Sequence, residues 1–271
     1  MGNIFQPISA EIIKTIDETP NIRTFVLRPE QEVPFLAGQF IELTMPGYGE
    51  APFTPSSSHF KRDIIEMTIM KVGRATGALF DFKVGDTVGI RGPYGARYPL
   101  EKFEGRDIYI VGGGVGLAPL RALFLALTHE IDKYGRIFLR YGARTPDDIV
   151  YKYLIPEWEK MKKVDIDLSV DVRDERWMKK VGVVTCLMDE IPCDEAKSIA
   201  VVCGPPIMMK FVTMKLLEAG FKGEHIYLSM ETNMSCGLGH CGHCKLGPYF
   251  TCKDGPVLTW DQVKDIPDPF V

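Results

Sequence analysis

The residues best suited to chemistry are four cysteines, Cys236, Cys241, Cys244 and Cys252, spaced C-x4-C-x2-C-x7-C. Four thiolates this close in sequence can converge on one small inorganic centre. The spacing matches the plant-type pattern for a two-iron, two-sulfur (2Fe-2S) cluster, with three ligands in a tight loop and a distant fourth. Gly237, Gly239 and Gly242 lie between the ligands, where a chain wrapping a cluster needs positive φ and close backbone approach. Structural zinc is the bland alternative, but zinc sites present paired hooks of C-x2-4-C or H-x3-5-H type. Here one C-x2-C overlaps one C-x4-C, and His240 and His243 are left over as exposed loop residues. A redox dithiol is the third reading of the same thiols.

Glycine loops are the second group. Gly112-Gly-Gly-Val-Gly116-Leu-Ala-Pro119 follows an apolar strand pattern and precedes a helical one. The G-x-G-x-x-G/A fingerprint fails here, because Leu117 stands where its last small residue would be. The physics survives: glycines at Gly112, Gly113, Gly114 and Gly116 let backbone approach an anion, and Pro119 is expected to open the helix. Two more loops, Tyr141-Gly-Ala-Arg144 and Cys203-Gly-Pro-Pro206, follow later strand patterns. All three fall at carboxyl ends of parallel strands, where open α/β sheets bind ligands. Gly73-Arg-Ala-Thr76 is a further candidate phosphate site, and Thr76 reads equally as an ordinary helix cap.

The elements that position these groups fall into two rhythms. From residue 8 to about 98 the apolar period is two, with strands at Ile8–Ile16, Ile22–Leu27, Phe40–Met45, Ile64–Val72 and Val88–Arg91, which predicts a small antiparallel barrel. From about 105 short apolar strands alternate with helical stretches at 117–130, 147–162, 183–190 and 207–219. That alternation predicts a buried parallel sheet. The fold class is multidomain: an N-terminal antiparallel β-barrel (1–100), a central α/β parallel-sheet domain (101–228) and a small C-terminal iron-sulfur segment (229–271).

Composition narrows the setting. With 271 residues, 45% hydrophobic and 25% charged, the chain reads as a globular protein of more than one domain. A net charge of −4 argues against a nucleic-acid partner. No apolar run reaches the roughly 20 residues of a membrane span. The N-terminus lacks the pattern of a signal peptide, and Gln6 stands where a myristoylation signal wants Ser or Thr. Seven cysteines, four in metal-ligand spacing, point to a reducing cytoplasm rather than to disulfides.

On Gly85-Asp-Thr-Val-Gly-Ile-Arg-Gly-Pro-Tyr-Gly95, the Gly112–Pro119 loop, Cys203-Gly-Pro-Pro206 and the cysteine array running into Cys252-Lys-Asp-Gly-Pro256, the chain resembles the ferredoxin-NADP reductase superfamily. Within it the resemblance is to an electron-transfer subunit group: those of dihydroorotate dehydrogenase, of the sulfhydrogenases (their gamma subunit) and of anaerobic sulfite reductase. It implies FAD in the barrel, NAD(P)H on the central sheet, the 2Fe-2S cluster at the C-terminus, and a catalytic partner subunit in an anaerobic-type redox complex. Nicotinamide gives two electrons as hydride and a two-iron cluster takes one, so a flavin must stand between them.

By the same resemblance Pro52, Phe53 and Thr54 lie along the flavin, Gly73 and Thr76 hold its pyrophosphate, and Met70 belongs to that site. Cys203, Gly204 and Pro205 flank the reacting nicotinamide carbon, and Glu231 is an acidic residue near the flavin, with a solvated carboxylate as its plain reading. Asp171 favours a ribose hydroxyl and thus NAD, whereas Arg144 or Arg173 favours a 2′-phosphate. One departure stands out: many members have Arg where this chain has Ala51, so Arg74 or Arg91 is expected to substitute.

A stand-alone reductase feeding a soluble acceptor is the alternative, although the region from Met230 on is too short for a complete ferredoxin domain. A zinc-stabilised binding module without flavin chemistry is the reading from another class, with Ala51 its one supporting feature. The tail, with Trp260 and Phe270, would dock on a partner or pack on its own domain.

Overall fold

The computed structural model describes residues 5–270. Met1–Ile4, part of the N-terminal stretch read for a targeting signal, and Val271 lie outside the described residues.

The period-two segments build a six-stranded antiparallel sheet from β1 (Ile8–Thr19), β2 (Ile22–Pro29), β3 (Phe40–Met45), β4 (Gly49–Phe53), β5 (Ile65–Met70) and β6 (Thr87–Tyr94), in the order β4-β3-β6-β1-β2-β5. Phe25, Leu27, Ile41, Leu43, Met67, Ile69 and Ile90 make one buried core. Each such side chain contributes on the order of 1.5–3 kcal/mol by leaving water. β4 was not among the expected strands; Gly49 and Pro52, poor strand residues, mask it. It pairs only with β3, at an edge that tolerates proline. Just past β4 the Ser56 amide donates to the Glu66 carbonyl on β5 at 2.8 Å, which joins the two outer strands. Helix α1 (Arg74–Leu79) packs on β3 and β4.

The second sheet has the order β10-β9-β8-β7-β11-β12-β15. Its strands are β7 (Ile108–Gly113), β8 (Ile137–Ala143), β9 (Val164–Val170), β10 (Lys180–Val181), β11 (Ile199–Cys203), β12 (Ile226–Ser229) and, on the edge, β15 (Val257–Thr259). The pairs from β10 to β12 are all parallel. β7 and β11 are buried at every residue, as strands covered on both faces must be. Helices α2 (Leu117–His129) and α4 (Pro206–Ala219) match their periodicity, and α4 stops at Gly220 with φ 107°.

Two expected helices fail. Over 147–162 only α3 (Ile155–Trp158) forms, because Tyr151 sits at φ 57°, which no helix interior accepts, and Pro156 can only open a helix. Residues 183–190 give a 3-10 turn over Val184–Met188. Pro119 is the third residue of α2, behind a 3-10 turn at Gly114–Gly116, and not the first; it still lies in the first turn, where proline is tolerated.

The C-terminal segment adds a two-stranded ribbon, β13 (Lys245–Leu246) and β14 (Tyr249–Phe250), and helix α5 (Trp260–Val263). Trp260 and Phe270 stack with ring centres 6.0 Å apart, so the tail folds on itself. By its contacts the chain divides into two compact units. One runs to Tyr98 and takes in Arg121–Ala126 and Glu231–Val257; the other comprises Pro99–Leu120, Leu127–Met230 and the chain from Leu258. The cysteine array and the barrel strands therefore share a unit.

Candidate functional site

The cysteine array folds into a loop whose sulfurs come together in two pairs. The Cys244 and Cys252 sulfurs lie 3.1 Å apart, both buried. Cys241 lies beside Cys236, and its amide and thiol both favour the Cys236 thiolate. Among the described residues no three His, Cys, Asp or Glu side chains converge on a single-ion position. Backbone amides aim at the sulfurs: Leu238 and His240 donate to Cys236 at 3.3 and 3.4 Å, and Gly239 donates to Cys252 at 3.0 Å. Burial alone would raise the Cys236 thiol, but the amides of Cys241, Leu238 and His240 outweigh it and bring it down to about 6. Burial, then the neighbouring Cys244 thiol, pushes Cys252 up to about 12.

The loop needs its glycines. Gly237 has φ 73°, and a Cβ there would meet the Tyr94 ring at 2.8 Å. Tyr94 stands against Phe40, ring centres 5.8 Å apart, and Phe40 packs on Cys244 and Cys252. Paired thiols, N–H donors and a small-residue loop fit an iron-sulfur group. His240 and His243 are exposed, the latter bonded to Ser235 at 3.0 Å.

The expected flavin residues lie in the same unit. Pro52 and Phe53 lie on β4 opposite Glu42 and Ile41 of β3, and Thr54 follows. Met70 ends β5. Gly73 precedes α1, whose Thr76 takes the amides of Val72 and Gly73 on its hydroxyl oxygen at 3.0 Å each. Thr76 therefore reaches back from the third helical position to cap the turn, rather than standing at the N-cap. Of the two arginines expected to replace the one missing at Ala51, Arg91 is excluded. Its Nε and Nη2 donate to Glu50 at 2.9 and 2.6 Å, its Nη1 donates to the Tyr94 hydroxyl at 2.9 Å, and its side chain is 4% exposed. Arg74, exposed at the start of α1, remains. Glu231 lies exposed at the entry to the cysteine segment.

In the other unit the loops after β7 and β11 come into backbone contact. A Cβ on Gly116 would meet the Cys203 carbonyl at 2.6 Å, and one on Gly204 would meet the Gly113 amide at 3.1 Å. Gly112, Gly113, Gly114 and Gly116 thus stand beside Cys203, Gly204 and Pro205 at the carboxyl ends of adjacent strands. Tyr141 donates to the Gly114 carbonyl at 3.0 Å and accepts the Val150 amide, which braces the turn. Arg144 is exposed, 3.5 Å from Asp148, and its carbonyl accepts the Val172 amide next to Asp171.

These glycine turns and paired thiols can be compared with known proteins. Residues 9–98 match the oxidoreductase FAD-binding domain, 110–214 the oxidoreductase NAD-binding domain, and 231–264 the iron-sulfur cluster binding domain of dihydroorotate dehydrogenase B. Sulfhydrogenase 2 subunit gamma of Pyrococcus furiosus is 36% identical, over 96% of this chain and 98% of its own length. A probable dihydroorotate dehydrogenase B electron transfer subunit of Methanocella arvoryzae is 36% identical, over 93% and 90%. The chain belongs to this family of electron-transfer subunits. Its fold is that of ferredoxin-NADP reductase: a chain from a solved NADH-dependent reduced ferredoxin-NADP oxidoreductase superposes with TM-score 0.75 at 27% identity, covering 98% of this chain and 94% of that one. This family member is an oxidoreductase electron-transfer subunit with FAD-, NAD- and iron-sulfur-binding domains. Among the described residues no helix is long and apolar enough to cross a membrane.

Sequence reasoning missed Glu42, Glu50, Arg91 in its present role, and Tyr94. The Gly-Ile-Arg-Gly-Pro-Tyr-Gly stretch carries Arg91 and Tyr94 and is the signal that could have found them; Glu42 leaves none.

Proposed function

We propose that this subunit carries electrons between NAD(P)H, FAD and a 2Fe-2S cluster, and exchanges them with the catalytic subunit of an anaerobic-type redox complex in a reducing cytoplasm. The observation that carries the two-iron reading is the pairing of thiols, Cys236 with Cys241 and Cys244 with Cys252. Each pair suits one iron of a two-iron centre, whereas zinc draws all its ligands onto one ion. Bound flavin supplies the change between hydride transfer and single-electron transfer.

The chain's own residues do the placing. Gly112–Gly116 with Cys203, Gly204 and Pro205 admit a nicotinamide nucleotide to the strand ends. Pro52, Phe53, Thr54, Met70, Gly73 and Thr76 hold the flavin. The amides of Leu238, Gly239 and His240 stabilise electron-rich sulfur and so set how readily the centre is reduced. The names of the relatives, a sulfhydrogenase gamma subunit and a dihydroorotate dehydrogenase electron transfer subunit, support a catalytic partner.

Anaerobic purification tests this. The expected protein holds about two irons and two sulfides per chain together with FAD, and its visible absorbance bleaches on adding NADH or NADPH. Zinc in place of iron, or a flavin that neither nucleotide bleaches, overturns the reading.

A further inference from the structure

Three strands of the first unit carry a row of residues that ends on the cysteine loop. Pro52 on β4 lies opposite Glu42 on β3, and Glu42 lies opposite Arg91 on β6. Directly opposed residues share a face of the sheet. The Arg91 guanidinium is almost wholly buried and takes partners on every side. Nε and Nη2 donate to Glu50 at 2.9 and 2.6 Å, and Nη1 donates to the Tyr94 hydroxyl at 2.9 Å and to the Cys236 carbonyl at 3.4 Å. The Tyr94 ring lies 5.6 Å from the same guanidinium and closes against Gly237. Glu42 beside it is completely buried, and neither of its carboxyl oxygens has a hydrogen-bond partner.

This arrangement is costly to maintain. A buried cation requires pairing, and a buried carboxyl without partners costs on the order of 1–3 kcal/mol. Other buried polar side chains of this unit, Glu18, Thr24, Thr68 and Ser56, bond to one another, whereas Glu42 does not, and apolar residues of equal volume in its place and that of Arg91 would serve packing alone at least as well. What an apolar set would not supply is a fixed positive charge, on an almost wholly buried side chain, held against the first cysteine's own peptide group.

We propose that Arg91 is the positioning residue that tunes the iron-sulfur centre: it fixes the Cys236 end of the loop to the strand row beneath Pro52 and holds a permanent positive charge beside the centre. The proposal rests on the two-iron reading above. Reduction adds one electron to a centre already made anionic by four thiolates, and a fixed cation favours the reduced form. Glu50 works against it, since its carboxylate partly neutralises Arg91. The two residues therefore have opposite signs of effect, which a merely structural role would not produce.

The test is an anaerobic redox titration of the full chain followed by electron paramagnetic resonance, with iron and sulfide measured on each sample. Arg91→Met is expected to make the centre about tenfold harder to reduce at a fixed ambient potential, a downward shift of roughly 59 mV for one electron. Arg91→Lys restores most of it, and Glu50→Gln shifts the midpoint upward. Unchanged midpoints in iron-replete Arg91→Met and Glu50→Gln proteins overturn the proposal. If Arg91→Met fails to fold or to hold iron, Glu50→Gln decides alone: an upward shift supports the proposal and no shift ends it. Wild-type protein without iron would instead end the two-iron reading on which the proposal stands.

Discussion

Cys244 and Cys252 hold their sulfurs 3.1 Å apart across an eight-residue separation, because the β13–β14 ribbon turns the chain back between them and Phe40 packs on both. The fourth ligand is thus delivered by a structured turn rather than by a loose tail.

Replacing Cys252 by Ser is therefore expected to remove most of the iron and the cluster's visible and paramagnetic signals. Flavin content should stay near one per chain, since Pro52, Phe53, Thr54, Met70, Gly73 and Thr76 lie on β4, β5, α1 and the segments beside them. Cys186→Ala, outside the array and only partly buried, should change neither. Iron and flavin assays on the three proteins check this, and full iron in Cys252→Ser would remove that residue from the ligand set.

Much of this architecture was legible in the residues, and the exceptions have physical causes. β3 and α4 keep their periodicity throughout and were readable to within a residue or two. The expected helix over 147–162 was not, because a left-handed Tyr151 is decided by tertiary packing that no local pattern announces. β4 hid behind Gly49 and Pro52. The cysteine array was visible because its ligands are close in sequence. The Arg91 contact with Cys236 was not, since 145 residues separate them.

The contact between the two glycine turns makes a sharper test of the nucleotide site. A methyl group on Gly116 would stand 2.6 Å from the Cys203 carbonyl oxygen and 2.7 Å from the Gly204 Cα, both backbone atoms that cannot swing aside. Gly116→Ala should cost about 1–3 kcal/mol of stability by overpacking and weaken NAD(P)H binding by about tenfold or more, equivalent to ~1.4 kcal/mol. Gly77→Ala, in α1 with its nearest neighbour at 3.9 Å, should be neutral or stabilising by up to about 1 kcal/mol. Denaturant melts and nucleotide titrations of both variants distinguish the turn from an ordinary glycine.

Nucleotide preference should turn on the ends of β8 and β9. There the Asp171 amide donates to the Ala143 carbonyl at 3.0 Å and the Val172 amide to that of Arg144 at 2.9 Å. A carboxylate at this place suits a ribose hydroxyl and repels a 2′-phosphate. Asp171→Ser is expected to narrow the preference for NADH over NADPH by about tenfold, ~1.4 kcal/mol. Anaerobic bleaching rates with the two nucleotides measure it; an unchanged ratio would leave selectivity elsewhere.

Acid sensitivity of the second unit should pass through His225. Burial, and then the Arg106 guanidinium 2.9 Å from Nε2, hold its pKa below the ordinary 6.5. In the unfolded chain the imidazole takes a proton as pH falls through 6.5, while in the folded chain it resists. The unfolded state then binds more protons, so the stability present at neutral pH is lost progressively as pH drops below 6.5 toward the lower folded value. Melting temperatures between pH 7.5 and 5 should fall in the wild type. They should fall less in His225→Gln, whose side chain carries no titrating group in that range. Parallel curves for the two proteins would show that the acid sensitivity comes from other groups.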